Sequence, residues 1–546
     1  MRRAFIATVF GLRCMAAAAA GETPPVTLTS TPLELARAAI GDRRGAVSIG
    51  LWRDGKASFA GLRDGAIVPA EEVGGANAAL FEIGSISKVF TGVLLAQAVE
   101  RGELSLDDTL GRLLEGKVTF ASEKVAAVTL RQLVTHTACL PRLPANLFEG
   151  ANTRDPYAHY DRAELWNALA TQQVMGTPPC DAAYSNLGVG LLGDLLALRH
   201  GRSWEALVHE RITAPLGMRD TLVTLGDKAP RLAPGFSGTK SASTWSFDAL
   251  VGAGGLRSTP ADMLIFGRAI LAGRNGPLGA AAERVVTPLA RFGDGAIGHA
   301  MQLRGPADKR SFSHDGATGG YRSVLLLAAD TGEVLVVLAG NADAPVGRLA
   351  AELAAARYPV EAVAPGAPAN CLVECAGVYR FDPRAALTFV VQDAAMHVHA
   401  TGRPFDRLTP GGTDAFSFGT VSRFVFERDA AGKPLAVQMT SRGETRRATR
   451  SDEPLPARAT TPNAEAFAGR YTLSPALTFD VRASAGQLTA QLGAQPRLAV
   501  YAVTGQPDRF AYDVVEAALQ FERDASGKVV ALVLHQNGQH RAPKTD

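Results

Sequence analysis

Phe81-Glu82-Ile83-Gly84-Ser85-Ile86-Ser87-Lys88 runs into Val89, Phe90, Val93, Leu94 and Gln97, with Gly102 behind them. Apolar residues at helical spacing, closed by a glycine, predict a helix that begins near Ser85. On such a helix Ser85 and Lys88 share one face, a turn apart. A lysine held beside a hydroxyl and partly removed from water can lose its charge and take the serine proton. The N–H groups at the helix start offer positive potential to an oxyanion. Alone, Ser-x-x-Lys is a weak signal, because a capping serine followed by a solvated lysine gives the same letters.

Two further segments carry chemistry. Tyr184-Ser185-Asn186 follows the turn-rich Gly176-Thr177-Pro178-Pro179-Cys180 and precedes a helical run from Gly188 to Leu198. A loop tyrosine can shuttle a proton and an asparagine can bond a substrate amide, although a tyrosine at a helix start usually only packs its ring. Ser313-His314-Asp315-Gly316-Ala317-Thr318-Gly319-Gly320-Tyr321-Arg322-Ser323 lies before the strand that starts at Val324. Glycines such as Gly316 on a strand edge admit a close ligand backbone. His314 can bond a carboxylate or a proton-transfer partner, and the Ala317 N–H could complete an oxyanion hole with that of Ser85. The bland alternative is a glycine-rich turn with a surface histidine.

In this order the three elements resemble the serine β-lactamase and penicillin-binding-protein superfamily, over about residues 30–360. The branch is that of class C β-lactamases, DD-carboxypeptidases, D-aminopeptidases and β-lactamase-like esterases. Leu104-Ser105-Leu106-Asp107-Asp108, Leu133-Val134-Thr135-His136-Thr137 and Gly254-Gly255-Leu256-Arg257-Ser258-Thr259-Pro260-Ala261-Asp262 are similar to segments of that branch. The last also reads as a helix start, with Thr259 as N-cap, Pro260 first in the helix and Asp262 reaching back.

The resemblance implies an α/β (α+β) domain, an antiparallel sheet flanked by helices plus a helical subdomain, for which the helical text from about 90 to 215 is suited. It makes Ser85 the acylated nucleophile, Lys88 its base and Tyr184 the relay to the leaving group and from water, with Asn186 on the substrate amide. His314 stands where many β-lactamases carry lysine, closer to the His-x-Gly of carboxypeptidases, aminopeptidases and esterases. An imidazole attracts a carboxylate less than an ammonium does, though Arg322 could supply fixed charge if its strand faces inward. Asp315 receives no role.

Thr137-Ala138-Cys139-Leu140-Pro141 and Pro178-Pro179-Cys180 carry cysteine where the family often has glycine. Paired replacement beside one site suggests a Cys139 to Cys180 disulfide, the alternative being two separate thiols. Cys371-Leu372-Val373-Glu374-Cys375 could close a small loop or hold a metal. With no nearby His or Cys to complete a metal set, a disulfide is preferred and no metal is expected.

Beyond residue 373 the sequence turns to short alternating segments cut by Gly, Pro and Asp, the pattern of all-β structure. Gly377-Val378-Tyr379 matches Gly469-Arg470-Tyr471, and Ala386-Leu387-Thr388-Phe389 matches Ala476-Leu477-Thr478-Phe479. Phe426-Glu427-Arg428-Asp429 with Gly432-Lys433 matches Phe521-Glu522-Arg523-Asp524 with Gly527-Lys528. A repeat at roughly ninety residues predicts a duplicated small antiparallel barrel or sandwich, like the barrels of D-aminopeptidase, with Arg-Asp-x-x-Gly-Lys as a hairpin turn. The expected divisions are a signal peptide at 1–20, the hydrolase domain at 30–359, a linker at 360–372, a first barrel at 373–452, a linker at 453–464 and a second barrel at 465–546.

Residues 1–20 have a basic start, an apolar stretch interrupted by Arg13 and an alanine run, which reads as an export signal; an N-terminal core helix is the alternative. Cys14 follows an arginine rather than the small residue of a lipoprotein site. The 546 residues are 47% hydrophobic, 20% charged and 7% aromatic, which excludes a disordered, collagen-like or disulfide-scaffold chain. The formal charge of +3 falls to zero without Arg2, Arg3 and Arg13, so nothing argues for nucleic acid. Val324-Leu325-Leu326-Leu327 and Val334-Leu335-Val336-Val337-Leu338, split by Asp330-Thr331-Gly332-Glu333, make a hairpin too short to span a bilayer.

The expected function is an exported, periplasmic or secreted, serine hydrolase that needs no cofactor and acts on a small molecule or peptide: a peptide ending in D-amino acids, a β-lactam or a small ester. A carboxylesterase and a catalytically silent peptidoglycan-binding protein are the alternatives, the latter disfavoured by the joint presence of Ser85, Lys88, Tyr184 and His314.

Overall fold

The structure is a computed structural model that describes residues 26–545 apart from 153, 175, 294, 361–370, 384, 402, 420, 454–459, 475–476, 494–496, 504, 514–516 and 537–538. The expected signal peptide with Cys14, most of the first expected linker and half of the second lie outside the described residues.

The hairpin around Asp330 forms as expected, Arg322–Ala328 pairing antiparallel with Val334–Ala339. It sits inside a nine-stranded antiparallel sheet in the order Ala66–Val68, Lys56–Arg63, Ala46–Arg53, Val334–Ala339, Arg322–Ala328, Ser311–Ala317, Gln302–Arg304, Gly295–Ile297, Ala290–Phe292. Its inner strand Val334–Ala339 is buried throughout, and the side chains divide with period two. Val334, Val336 and Leu338 join one core, and Leu335, Val337 and Ala339 another. Helices Pro32–Ile40 and Val346–Arg357 cover the second face. Both faces being covered is why the strand reads as one continuous apolar run.

The larger core surrounds helix Ser87–Glu100, buried from Ser87 to Ala98 on every side. No polar stripe exists because neighbours lie all round it. Its Gly92 meets the loop at His299 so closely that a Cβ would stand 2.0 Å from the His299 carbonyl oxygen. Helix Asn186–His200 packs alongside, started by Ser185 Oγ accepting the Gly188 N–H at 2.9 Å and ended by Gly201 at φ +61°. The described residues between helices Leu130–Val134 and Arg162–Thr171 form no helix, so the expected helical subdomain carries a long irregular insertion. Helix Pro260–Leu271 starts at Thr259 with Pro260 first, as expected. Asp262 departs from expectation: its N–H bonds Thr259 Oγ1, but its carboxylate accepts from Asp220 N and Thr221 Oγ1.

Two antiparallel, nearly closed sheets follow. The first has nine strands between Gly377 and Ser451, the second eight between Gly469 and Pro543. A bridge from Tyr471 to Lys544 and the Thr545 N–H to Arg470 O bond bring the ends of the second together. The duplication is physical. Tyr379 and Tyr471 each donate to the carbonyl four residues back, Cys375 and Phe467. Arg428 holds Asp414 through two bonds and the Gly432 carbonyl, and Arg523 does the same with Asp508 and Gly527. Both Arg-Asp-x-x-Gly-Lys stretches are the expected turns, with Gly432 and Gly527 at positive φ. Register corrects one match: Tyr379 faces Leu387 and Tyr471 faces Phe479, so the Ala-Leu-Thr-Phe blocks are two residues out of step. A shift of two keeps every side chain on its own side of the sheet.

Gly92→Ala should lower stability by about 1–3 kcal/mol, since helix and loop must separate to admit the methyl; calorimetry would measure it. His299, buried with Nδ1 on the Arg284 carbonyl, is held down at about 4 by burial. Its folded pKa lies below its unfolded one, so stability present above about pH 6.5 is lost toward pH 4 as the unfolded chain takes up the proton. The drop in melting temperature from pH 7 to 4 should be smaller in His299→Gln than in the unaltered protein.

Candidate active site

Ser85 is placed by its neighbours in sequence. Phe81–Glu82 pairs with Arg257–Ser258, and the Ile83 N–H bonds Leu256 O at 3.0 Å. Beneath, the buried Glu82 carboxylate meets Arg257 at 3.1 Å and accepts the Trp245 N–H at 2.8 Å. A single 3-10 turn, Gly84–Ile86, then enters helix Ser87–Glu100. The expected helix start is therefore correct in place and tighter in form. Gly84 has φ +49°, and a Cβ on it would sit 2.8 Å from Ala317 N, so the Ser85 turn and the end of strand Ser311–Ala317 touch through backbone.

Lys88 Nζ lies 3.0 Å from Ser85 Oγ and 2.6 Å from the Ala253 carbonyl oxygen, with the whole side chain buried. It makes no ion pair among the described residues. Burial, with the Arg142 cation nearby, pushes its pKa well below that of an ordinary lysine, against a smaller pull from Asp315. Lys88 Nζ also stands 4.9 Å from the centroid of the Tyr184 ring. Burial raises the Tyr184 phenol above its ordinary range, opposed by its interaction with Ser85. The pair thus pairs a weakened cation with a firmly protonated phenol on either side of one hydroxyl.

Asn186 donates to Tyr157 Oη at 3.3 Å and leaves a buried Oδ1 with no partner. His314 is buried, its ring 6.1 Å from that of Tyr184; Nδ1 meets the Asp315 carbonyl oxygen at 2.7 Å, Nε2 has no partner, and burial lowers its pKa to about 4. It is not the surface histidine of a loose turn. Gly316 turns inward too, where a Cβ would stand 2.0 Å from Ile83 O. Its missing side chain admits the chain's own backbone rather than a ligand's. Asp315 and Ala317, the alternate residues of the strand, line the cavity with Ser85, Tyr184 and Asn186. Arg322 lines it as well, its strand facing inward, and bonds the Thr318 and Tyr321 carbonyls.

Three features have roles that the sequence does not spell out, although residues 142–162 are expected to line the cleft. His136, at φ +62°, accepts the Ser185 N–H on Nδ1 at 3.2 Å and lies 4.6 Å from the Tyr184 ring, kept neutral by burial and by Lys88. Arg142 stacks on Tyr184 at 5.0 Å and lines the cavity without an ion pair among the described residues. The third is the second β sheet, which supplies part of the cavity wall. His136 stands in Leu133-Val134-Thr135-His136-Thr137, a segment noted above only for its similarity to the family, and its place beside Tyr184 depends on a fold the letters do not spell out.

Cys139 and Cys180 are joined by a disulfide with Cα atoms 5.4 Å apart. Cys139 keeps φ +57°, the conformation that favours the glycine it replaces. Cys371 and Cys375 form the second bridge. Asp414 lies close enough to make a metal-ligand trio with them, the one such group among the described residues, but the sulfurs are bonded to each other and the carboxylate holds Arg428.

The sequence profile of the Beta-lactamase family matches residues 34–358. D-alanyl-D-alanine-carboxypeptidase/endopeptidase AmpH of Escherichia coli K12 is 34% identical over 183 residues, 33% of this chain and 46% of AmpH. The chain thus spans about half the length of that relative. Penicillin-binding protein 4 of Amycolatopsis lactamdurans is 27% identical over 317 residues, 53% of this chain and 81% of that protein. A class C β-lactamase structure from Rhodobacter sphaeroides aligns with a TM-score of 0.48 at 21% identity, covering 56% of this chain and 92% of its own. Among the described residues no helix is long and apolar enough to cross a membrane. With the family profile running through well over half of its length, this chain belongs to the Beta-lactamase family of serine hydrolases.

Proposed function

We propose that the protein is an exported hydrolase that forms an acyl-enzyme on Ser85 and cleaves peptides ending in D-amino acids, with β-lactams as substrates of the same site. One observation carries the reading: a wholly buried lysine amine 3.0 Å from the serine oxygen, with no carboxylate paired to it among the described residues. Neutral Lys88 takes the Ser85 proton as Oγ attacks, and the Ser85 and Ala317 N–H groups receive the oxyanion. Such donors are worth about 10²–10³ in rate apiece. Tyr184, protonated, passes a proton to the departing amine and takes one from the water that hydrolyses the ester. The free Oδ1 of Asn186 accepts the substrate amide N–H.

A carboxylate-bearing substrate is favoured over a simple ester because Arg142 and Arg322 line the cavity while His314 stays neutral. Export is supported by the signal-like text at 1–20 and by two disulfides, which persist in oxidising compartments.

Intact-mass spectrometry after exposure to a fluorescent penicillin, a D-alanyl-D-alanine peptide and a p-nitrophenyl ester tests nucleophile and substrate together. Ser85→Ala should lose every adduct and all turnover; full activity in that variant would refute the mechanism. Lys88→Ala should slow acylation by about 10²–10⁴, and Tyr184→Phe should slow both acylation and deacylation with the fold intact. Because the base must be deprotonated and its pKa is lowered, kcat/KM should reach its plateau well below the pH at which an ordinary lysine titrates. It should then stay flat past pH 10, as Tyr184 keeps its proton longer than an ordinary phenol.

A further inference from the structure

The cavity at Ser85 measures about 1620 Å³, beyond the roughly 300–1,000 Å³ of a small-molecule cleft. Part of its wall belongs to the second β sheet, through Arg470, Asp480, Arg482 and Arg497. Arg482 and Arg497 both bond the Asp480 carboxylate, at 2.9 and 2.7 Å, and Arg470 is its direct cross-strand neighbour. Arg482 and Arg497 hold that carboxylate below its usual range against burial, and Arg470 adds a third guanidinium on the paired strand position. The exposed Arg470 makes no ion pair among the described residues.

Comparison with the first sheet shows that the fold does not require this charge. By strand register Arg470, Asp480 and Arg482 occupy the positions that Val378, Thr388 and Val390 hold in the first copy. Those three are uncharged and buried. The Arg428 and Arg523 clamps, by contrast, are common to both copies and serve the turns. Charge on this face is therefore particular to the copy that meets the cavity. Together with Arg142 and Arg322 it leaves a surplus of positive charge in a walled cleft, where fields are focused rather than screened.

We propose that this face of the second β sheet is a distal subsite for a carboxylate on the substrate. The inference rests on the hydrolase reading above, under which a peptide that ends in a D-amino acid can extend only on its acyl side. The distal carboxylate would bind Arg470 and Arg482, while Arg142 and Arg322 take the terminal carboxylate beside Ser85.

The test is calorimetric binding to full-length Ser85→Ala protein, which separates recognition from chemistry. The probes are acetyl-Glu-(Gly)n-D-Ala-D-Ala and the matching Gln peptides, with n from zero to two. The Glu peptide should bind about tenfold more tightly at one spacing, the preference shrinking as salt is raised. Adding Arg470→Ala and Arg482→Ala should bring the ratio to about one. Equal affinities at every spacing, absence of binding, or a preference that survives both substitutions would overturn the subsite. The salt series needs no further substitution and stands even if that variant misfolds. Turnover of the Gln peptides by unaltered protein reports separately on the hydrolase reading: hydrolysis without a Glu preference sinks the subsite alone.

Discussion

An amine sealed from water with no carboxylate against it is the condition around which the rest of the catalytic region is arranged. An ammonium in that place is costly, and a carboxylate partner would lower the cost by fixing the charge. The protein instead offers Lys88 a serine oxygen and the Ala253 carbonyl. That carbonyl is itself held with care. Thr91 donates to Gly252 O and accepts from Trp204 Nε1, while Ser87 Oγ receives the Leu256 N–H. Gly252 and Gly193 meet so closely that a Cβ on either would come within 3.0 Å of the other's Cα. Three segments distant in sequence are thereby locked around one nitrogen.

Local chemistry was readable and long-range chemistry was not. Ser85 and Lys88 stand four positions apart counting both ends, so helical period alone puts them together, and the apolar hairpin around Asp330 announces itself the same way. The repeat of Tyr379 and Arg428 in Tyr471 and Arg523 also survives in the letters, because each sets a turn whose partners are near in sequence. Gly316 shows the limit. A glycine beside a candidate site looks like room for a ligand, yet what fills the room is Ile83 O, more than two hundred residues earlier. Arg142 and the Arg470 face are silent in the sequence for the same reason: their role depends on what lies across the cavity.

The site divides its charge by residue type. Lys88, His136 and His314, whose side chains can exist uncharged, are all buried and all pushed toward the neutral form, the two histidines partly by Lys88. Arg142 and Arg322 carry positive charge that they cannot shed. Proton movement and anion attraction thus fall to different residue types, and they are linked where the Arg142 cation depresses Lys88 and His136.

The two β sheets also comment on each other. In the first, the segment leading to Tyr379 is closed by the Cys371–Cys375 bridge; in the second, the turn Ala464–Phe467 delivers Tyr471 to the equivalent hydrogen bond with no cysteine at all. The second copy therefore closes the same corner without any cysteine, beside a first copy that carries the bridge. The bridge is an addition to an architecture that closes without it, and the corner has no need of an oxidising environment to take its shape.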